Sequence, residues 1–323
     1  MYIDIHTFSY PPLQTLIKPL SKLLYPDHTI ADERVKLITR TPFKESSTYP
    51  AEVITCSLNN KQILNLFCKY STGTRYEFDS RDGVEYEAKV YDVVLDSLPL
   101  NKAKYYGICK LNEHNESLLI LDFLSGSKSL EYTRGLKYFL EAAGWLAIFH
   151  SHKQKRVPSF IKIYDRDYYK DWADKALKYW MPTGLYPWLP EITEYYKGNC
   201  HILTDSNQSI IHGEFFPSNI LVYQDEVCPI DWESAAIGNC LIDLACLIEK
   251  ETVADSECII EKYLATCFGL SDSLSESFQQ QLIMAQMYVQ FRYLLPKQKR
   301  KKIDMRQKRF ARLFELGKKA GIF

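Results

Sequence analysis

The sequence predicts an α+β chain of two lobes, a small antiparallel sheet followed by a larger, mainly helical part. Three observations carry this. Between residues 34 and 70, three short runs read as strands, the first of which, 34–40, alternates apolar and polar side chains as a half-buried strand does. From residue 130 onward, apolar residues recur at three- and four-residue steps, the spacing of helices with one buried face. The 323 residues suffice for two lobes, each with its own core. The expected boundaries are an N-terminal extension over 1–30, a first lobe over 31–124 and a second over 125–323.

In the extension, residues 13–24 read as a short helix. Strands follow at 34–40, 51–58 and 62–70, with Asn59-Asn60 turning the chain between the last two. The segment T-P-F-K-E-S-S-T (41–48) joins the first two strands and holds no glycine. Its Ser46, Ser47 and Thr48 either offer hydroxyl and N–H groups to an anion or simply form a hairpin turn. Lys69 lies near the end of the third strand. Residues 83–95 follow, with Val90, Val94 and Leu98 at helical spacing and Glu85 and Glu87 in the first turns. Two more strands, 104–110 and 117–124, flank the polar turn 112–116. The second ends in L-D-F-L-S-G, an extended segment released by Ser125-Gly126.

The helical part opens with a long amphipathic helix expected over 130–152, with Leu136, Phe139, Leu140, Ala143, Leu146, Ala147 and His150 on one face. His150 reads as structural. Residues 160–200 then crowd ten tyrosines and tryptophans, from Tyr164 to Tyr196, among Asp165, Asp167, Asp171 and Asp174. Two readings stand side by side: an aromatic wall with carboxylates that holds a cationic or amphipathic ligand, or the core of an inserted substructure. Helical spacing returns over 279–316, and Gly317 is expected to stop the last helix. The basic run 297–302 reads as a solvated helix connection or, less favoured, as a patch for nucleic acid or an acidic partner.

Bulk properties exclude several classes. Hydrophobic residues make up 46% and net charge is zero, so disorder and a general affinity for nucleic acid are not expected. Charge is unevenly spread: residues 296–323 hold eleven basic and two acidic side chains, which leaves the remainder acidic. Nine cysteines without a C-x-x-C pair suggest free thiols in a reducing compartment. The first 24 residues lack the layout of a signal peptide, and no run is apolar enough for a membrane span. The expectation is a cytoplasmic protein with no membrane partner.

The chemistry-bearing stretch is I-H-G-E-F-F-P-S-N-I-L-V (211–222), followed by P-I-D-W-E (229–233). Glu214 and Asn219 are five residues apart, and Asp231 lies twelve further on. Protein kinases carry H-R-D-x-x-x-x-N followed by a metal-binding Asp. This chain reads H-G-E-x-x-x-x-N and resembles the protein-kinase-like family of aminoglycoside phosphotransferases and choline kinases, in a variant with Glu for the usual Asp. A later G-N-C-L-I-D-L-A (238–245) is similar to that branch as well.

The resemblance implies a bilobal kinase-like fold, ATP or another nucleoside triphosphate, and Mg2+. It implies that Glu214 takes the catalytic base position and that Asn219 and Asp231 hold the metal. Ser46 and Ser47 would lie over the phosphates. Lys69 would contact them, oriented by Glu87, with Glu85 as the competing choice. Leu121, Asp122 and Leu124 would supply the hinge that meets adenine. His212 would anchor the loop and Asp243 brace it. The acceptor would be a hydroxyl of a small molecule or, alternatively, of a peptide; a nucleotide-binding protein without turnover is the further alternative. Glu reaches about 1.5 Å further than Asp. Either the loop retreats, the acceptor sits further off, or Glu214 is not the base.

Overall fold

The computed structural model describes residues 8–25, 35–45, 48–71, 83–111, 116–152, 157–268, 275–295 and 303–323. Ser46, Ser47, turn residues 112–115 and the basic run 297–302 lie outside the described residues. The chain forms two compact units: residues 1–128 with 221–234, and residues 129–220 with 235–323. The first division falls inside a two-residue strand, Lys128–Ser129.

The first unit is built on a five-stranded antiparallel sheet. Its strands are β1 (Val35–Pro42), β2 (Ala51–Leu58), β3 (Ile63–Tyr70), β4 (Tyr105–Lys110) and β5 (Ser117–Asp122), ordered β1-β2-β3-β5-β4. Alternation in β2 sends Ile54 and Cys56 into the core. The helix expected at the N-terminus forms as α1 (Leu13–Leu24). Its Leu16 and Leu20 are fully buried against Ile54, Leu66, Leu118 and Ile120, so it belongs to this unit's core. The turn after β2 uses Asn60, whose Oδ1 accepts from Gln62 N at 3.0 Å, while Lys61 takes the left-handed conformation. Helix α2 (Val84–Lys89) runs on into a wider π-helical turn, Val90–Leu95.

In the second unit, α3 (Lys137–Ser151) is shorter than the helix expected over 130–152. The segment before it is a single 3-10 turn, Leu130–Tyr132, closed by Thr133 in an extended conformation. The Thr133 hydroxyl donates to Leu130 O at 2.8 Å, a side-chain bond that competes with the helical ladder. A small sheet follows, made of β7 (Lys162–Ile163), β8 (Gln208–Ile211) and β11 (Ala236–Asn239), with β11 in the middle. Strand β8 delivers the chain directly to His212. Helix α6 (Leu241–Leu247), buried along its whole length, follows β11 and carries Asp243.

Helices α4 (Arg166–Trp180), α5 (Leu189–Asn199), α7 (Val253–Phe268), α8 (Glu276–Leu294) and α9 (Ile303–Lys319) complete the unit. The hairpin strands β9 (Ile220–Tyr223) and β10 (Glu226–Pro229) lead away from the loop, and from Leu221 they belong to the first unit. Gly317 does not stop the last helix. It lies inside α9, where a Cβ would collide with the Phe323 ring, and the left-handed residue is Gly321, at φ 73°. The missing side chain is used for packing rather than for chain reversal.

Candidate active site

In the first unit one buried lysine meets three carboxylates. Lys69 Nζ lies 2.7 Å from Glu87 Oε2, 2.7 Å from Asp231 Oδ1 and 3.5 Å from Glu233 Oε2. Strand β3 brings Lys69, α2 brings Glu87, and the turn after β10 brings the two residues of P-I-D-W-E. Glu87 is held at both ends, because its Oε1 accepts from the Trp232 backbone N at 3.2 Å. Asp231 adopts φ 67°, a left-handed conformation that costs a non-glycine residue about 1–3 kcal/mol unless its surroundings impose it. Burial works against the ammonium of Lys69, but the carboxylates of Asp231, Glu233 and Glu87 outweigh it and hold the group well above its usual range. Burial pushes Glu87 upward, against the pull of Lys69.

Three carboxylates against one ammonium leave two negative charges in excess. Oxygens of Glu87, Asp231 and Glu233 lie within 4.8 Å of one another, a hard-oxygen set that suits a divalent cation. Asp231 is the member that reaches solvent, with its side chain 33% exposed against 2% and 0% for the others.

In the second unit the loop after β8 is held from beneath. Asp243 Oδ2 accepts from His212 N at 2.6 Å, and Oδ1 accepts from Gly213 N at 2.8 Å. The same Oδ2 lies 3.2 Å from His150 Nε2, whose Nδ1 meets the Tyr263 hydroxyl at 2.9 Å. Burial opposes the His150 imidazolium, but the Cys240 sulfur and the Asp243 carboxylate outweigh it and lift this group to about 9. Gly213 sits at φ 80°, which lets two successive N–H groups point at one carboxylate. His212 Nδ1 accepts from Glu214 N at 3.3 Å, and Asn219 Nδ2 donates to Glu214 O at 3.0 Å. The Asn219 amide nitrogen therefore serves the loop, and its oxygen is the end suited to a metal. Trp145 of α3 stacks on Phe215 at 5.9 Å under the loop.

Glu214 is 6% exposed and ion-paired: Arg292 Nη2 lies 2.8 Å from Glu214 Oε1. Arg292, from α8, also donates to Tyr288 Oη at 2.9 Å and to Gly213 O at 3.4 Å. Burial and then the Glu214 carboxylate push the Tyr293 phenol up, and the Tyr293 ring centre lies 5.7 Å from the Arg292 guanidinium.

The structure thus brings Lys69, Glu87 and Asp231 together in one unit, and His212, Glu214, Asn219 and Asp243 in the other. Leu121 and Asp122 end β5, and Leu124 is buried just beyond it. The N–H groups of Asp122 and Phe123 already donate to Lys104 O at 2.8 Å and Asn65 O at 2.9 Å.

Sequence reasoning missed Arg292 and Tyr293, and it quoted Glu233 without giving it a role. Position in the P-I-D-W-E motif is a usable signal for Glu233. Arg292 lies 78 residues from its partner and stands out only as a charge in an otherwise apolar turn of α8.

Between the two readings of the aromatic stretch, packing dominates. Tyr164, Tyr169, Trp172 and Tyr196 are buried, and Trp180, Tyr186 and Trp188 pack on Phe310 of α9. A cavity of about 640 Å3 lies elsewhere in this unit, lined by His150, Cys240, Tyr263, Cys267 and Gln281 among others, and not by Glu214 or Asn219. No helix among the described residues is long and apolar enough to cross a membrane. All nine cysteines are free.

A model of the phosphotransferase enzyme family matches residues 73–269, more than half of the chain. Among solved structures, the GDP complex of wild-type aminoglycoside 2'-phosphotransferase-IIIa is similar over 96% of this chain and 99% of that one, with a TM-score of 0.63 and 14% identity. A choline kinase from Streptococcus pneumoniae is similar over 94% of this chain and 98% of that one, with a TM-score of 0.63 and 15% identity. A choline/ethanolamine kinase family protein from Mesorhizobium loti is similar over 94% and 95%, with a TM-score of 0.59 and 12% identity. At these identities the likeness is one of fold. No curated protein sequence matches the chain.

Proposed function

Because the chain belongs to the phosphotransferase enzyme family, we propose that it moves the γ-phosphate of ATP, or another nucleoside triphosphate, to a hydroxyl group of a small molecule. The observation that carries this is the buried Lys69 held at 2.7 Å by both Glu87 and Asp231. A lysine fixed in this way is a phosphate ligand in kinase-like sites, and the acids keep it charged and aimed. The nucleotide would lie against Lys69, with the end of β5 and Leu124 at its base. Asp231 and the Asn219 oxygen would hold magnesium, with Glu233 near. Bound there, the ion supplies neutralisation of phosphate charge.

Glu214 would align the acceptor hydroxyl and take its proton, with one of its oxygens held by Arg292 at 2.8 Å. His212 and Asp243 keep the loop backbone in place and touch no substrate. Transfer of this kind needs alignment and charge balance more than covalent participation by the protein, and both are qualities of preorganised side chains.

The test is transfer of labelled γ-phosphate from ATP to a library of small alcohols, run in parallel with a peptide library. In a phosphotransferase, Glu214→Gln lowers kcat by roughly 100-fold or more while nucleotide binding persists, the scale of losing a positioned general base. Equal rates in the variant and parent would remove Glu214 from the base role. ATP binding without turnover on any acceptor would favour the nucleotide-binding alternative, and peptide labelling alone would favour the peptide kinase.

A further inference from the structure

We infer that the acceptor is uncharged around its reacting hydroxyl, a neutral alcohol with an apolar or aromatic body, and neither an amino sugar nor a quaternary ammonium alcohol. This rests on the phosphotransfer reading above and goes beyond it. Three observations on the second unit carry it.

First, the acid at the base position does not present an uncompensated negative charge. Glu214 is matched at 2.8 Å by Arg292, with both side chains under 10% exposed. An approaching cation attracted to Glu214 meets repulsion from Arg292 at nearly the same distance. In a site with little water that repulsion is weakly screened.

Second, the groups touching the pair are mostly aromatic. The further cations on their rings, Lys175 at 5.3 Å from the Trp172 ring centre and Arg309 at 4.8 Å from that of Tyr293, are each paired with an acid of their own, Asp171 and Glu249. The guanidinium lies 5.9 Å from the centre of the Trp172 ring and 5.7 Å from that of Tyr293. It also touches Tyr288 and, at 3.5 Å, the Tyr168 hydroxyl. Tyr293 meets Phe216 edge to face at 5.3 Å, and Phe216, Tyr293 and Tyr168 are only half-buried. These faces suit an apolar or aromatic body.

Third, three of the four carboxylates of the aromatic stretch are already engaged. Asp165 caps α4 by accepting from Tyr168 N at 2.8 Å. Asp171 pairs with Lys175, and Asp174 with Lys197 at 2.8 Å.

The test uses three benzyl alcohols that differ only in charge at the para position: 4-methylbenzyl alcohol, 4-(aminomethyl)benzyl alcohol and 4-(hydroxymethyl)benzoate. Binding to the full chain is measured by ligand-observed NMR with magnesium and a non-hydrolysable ATP analogue, and phosphate transfer is measured separately with ATP. The expected order on the parent has the neutral alcohol at least threefold tighter than either charged probe. Arg292→Met leaves the acid unbalanced and moves the preference to the amine. Glu214→Gln leaves the arginine unbalanced and moves it to the carboxylate. Damage to the fold cannot produce two shifts of opposite sign. A parent that prefers the amine, variants that leave the order unchanged, or binding of none of the probes to any of the three proteins would overturn the inference. Binding in the expected order without phosphate transfer would leave the charge assignment standing and count against the phosphotransfer reading.

Discussion

Lys69 carries one positive charge and faces three carboxylates, so it holds a repulsive cluster together. Replacing it with methionine keeps the stem and leaves Glu87, Asp231 and Glu233 facing one another in a buried place. The expected loss of stability is about 3–5 kcal/mol, the range for breaking a buried ion pair from one side. A urea melt measures it, and a loss well under 1 kcal/mol would mean that solvent already screens the cluster. His150 gives a prediction of pH dependence. Its group titrates near 6.5 unperturbed and near 9 in the folded chain. A raised value means that stability from the charged ring is fully present below about 6.5 and is lost as pH rises through 9. The parent should therefore lose thermal stability between pH 6.5 and 9.5 more steeply than His150→Gln; parallel curves for the two proteins would contradict this. At this scale the sequence singled out Lys69, Glu87, His212, Glu214, Asn219, Asp231 and Asp243 as candidates, because short motifs keep a residue and its spacing together. Arg292 was not legible, since nothing in the letters of α8 says which helix face turns toward residue 214.

Among the elements, α9 is the one whose role depends most on contact. Its Phe310 stacks on Tyr186 at 3.5 Å and meets Trp180 edge to face at 5.1 Å, and Arg309 pairs with Glu249 at 2.6 Å. Phe310 is 2% exposed, so Phe310→Ala should destabilise the second unit by about 3–5 kcal/mol, the usual range for emptying a buried aromatic site. Chemical denaturation followed by tryptophan fluorescence reads this directly through Trp180 and Trp188; an unchanged midpoint would mean that α9 is not part of the cooperative unit. The five sheet strands of the first unit were legible as short runs bounded by turn residues, the first of them alternating, and α1 was legible as a short helix. The start of α3 was misjudged because the apolar spacing at 130–136 ignores the Thr133 hydroxyl, which closes a separate turn. Gly317 was misread for a related reason: a glycine near a helix end looks the same whether it reverses the chain or makes room for the Phe323 ring.

For the molecule as a whole, the proposed ligand pair makes a linked prediction. ATP with magnesium at about 100 times its dissociation constant should stabilise the chain by about 2.7 kcal/mol, and a chelator should remove most of that gain. Scanning calorimetry with ATP alone, with ATP and magnesium, and after addition of EDTA tests it; identical transitions in all three would count against a metal–nucleotide site. The sequence by itself determined the fold class and the places of the first unit's five sheet strands, because strand and helix patterns are local consequences of backbone geometry. It also singled out candidate residues through the H-G-E-x-x-x-x-N and P-I-D-W-E stretches. Only the tertiary structure decided that Tyr164, Tyr169, Trp172 and Tyr196 are packed core and that Asp243 binds two loop N–H groups. It alone decided that Glu214 is balanced by an arginine 78 residues away. Those facts depend on which faces of distant helices meet, and burial and charge pairing are settled by contacts that no local pattern in the chain records.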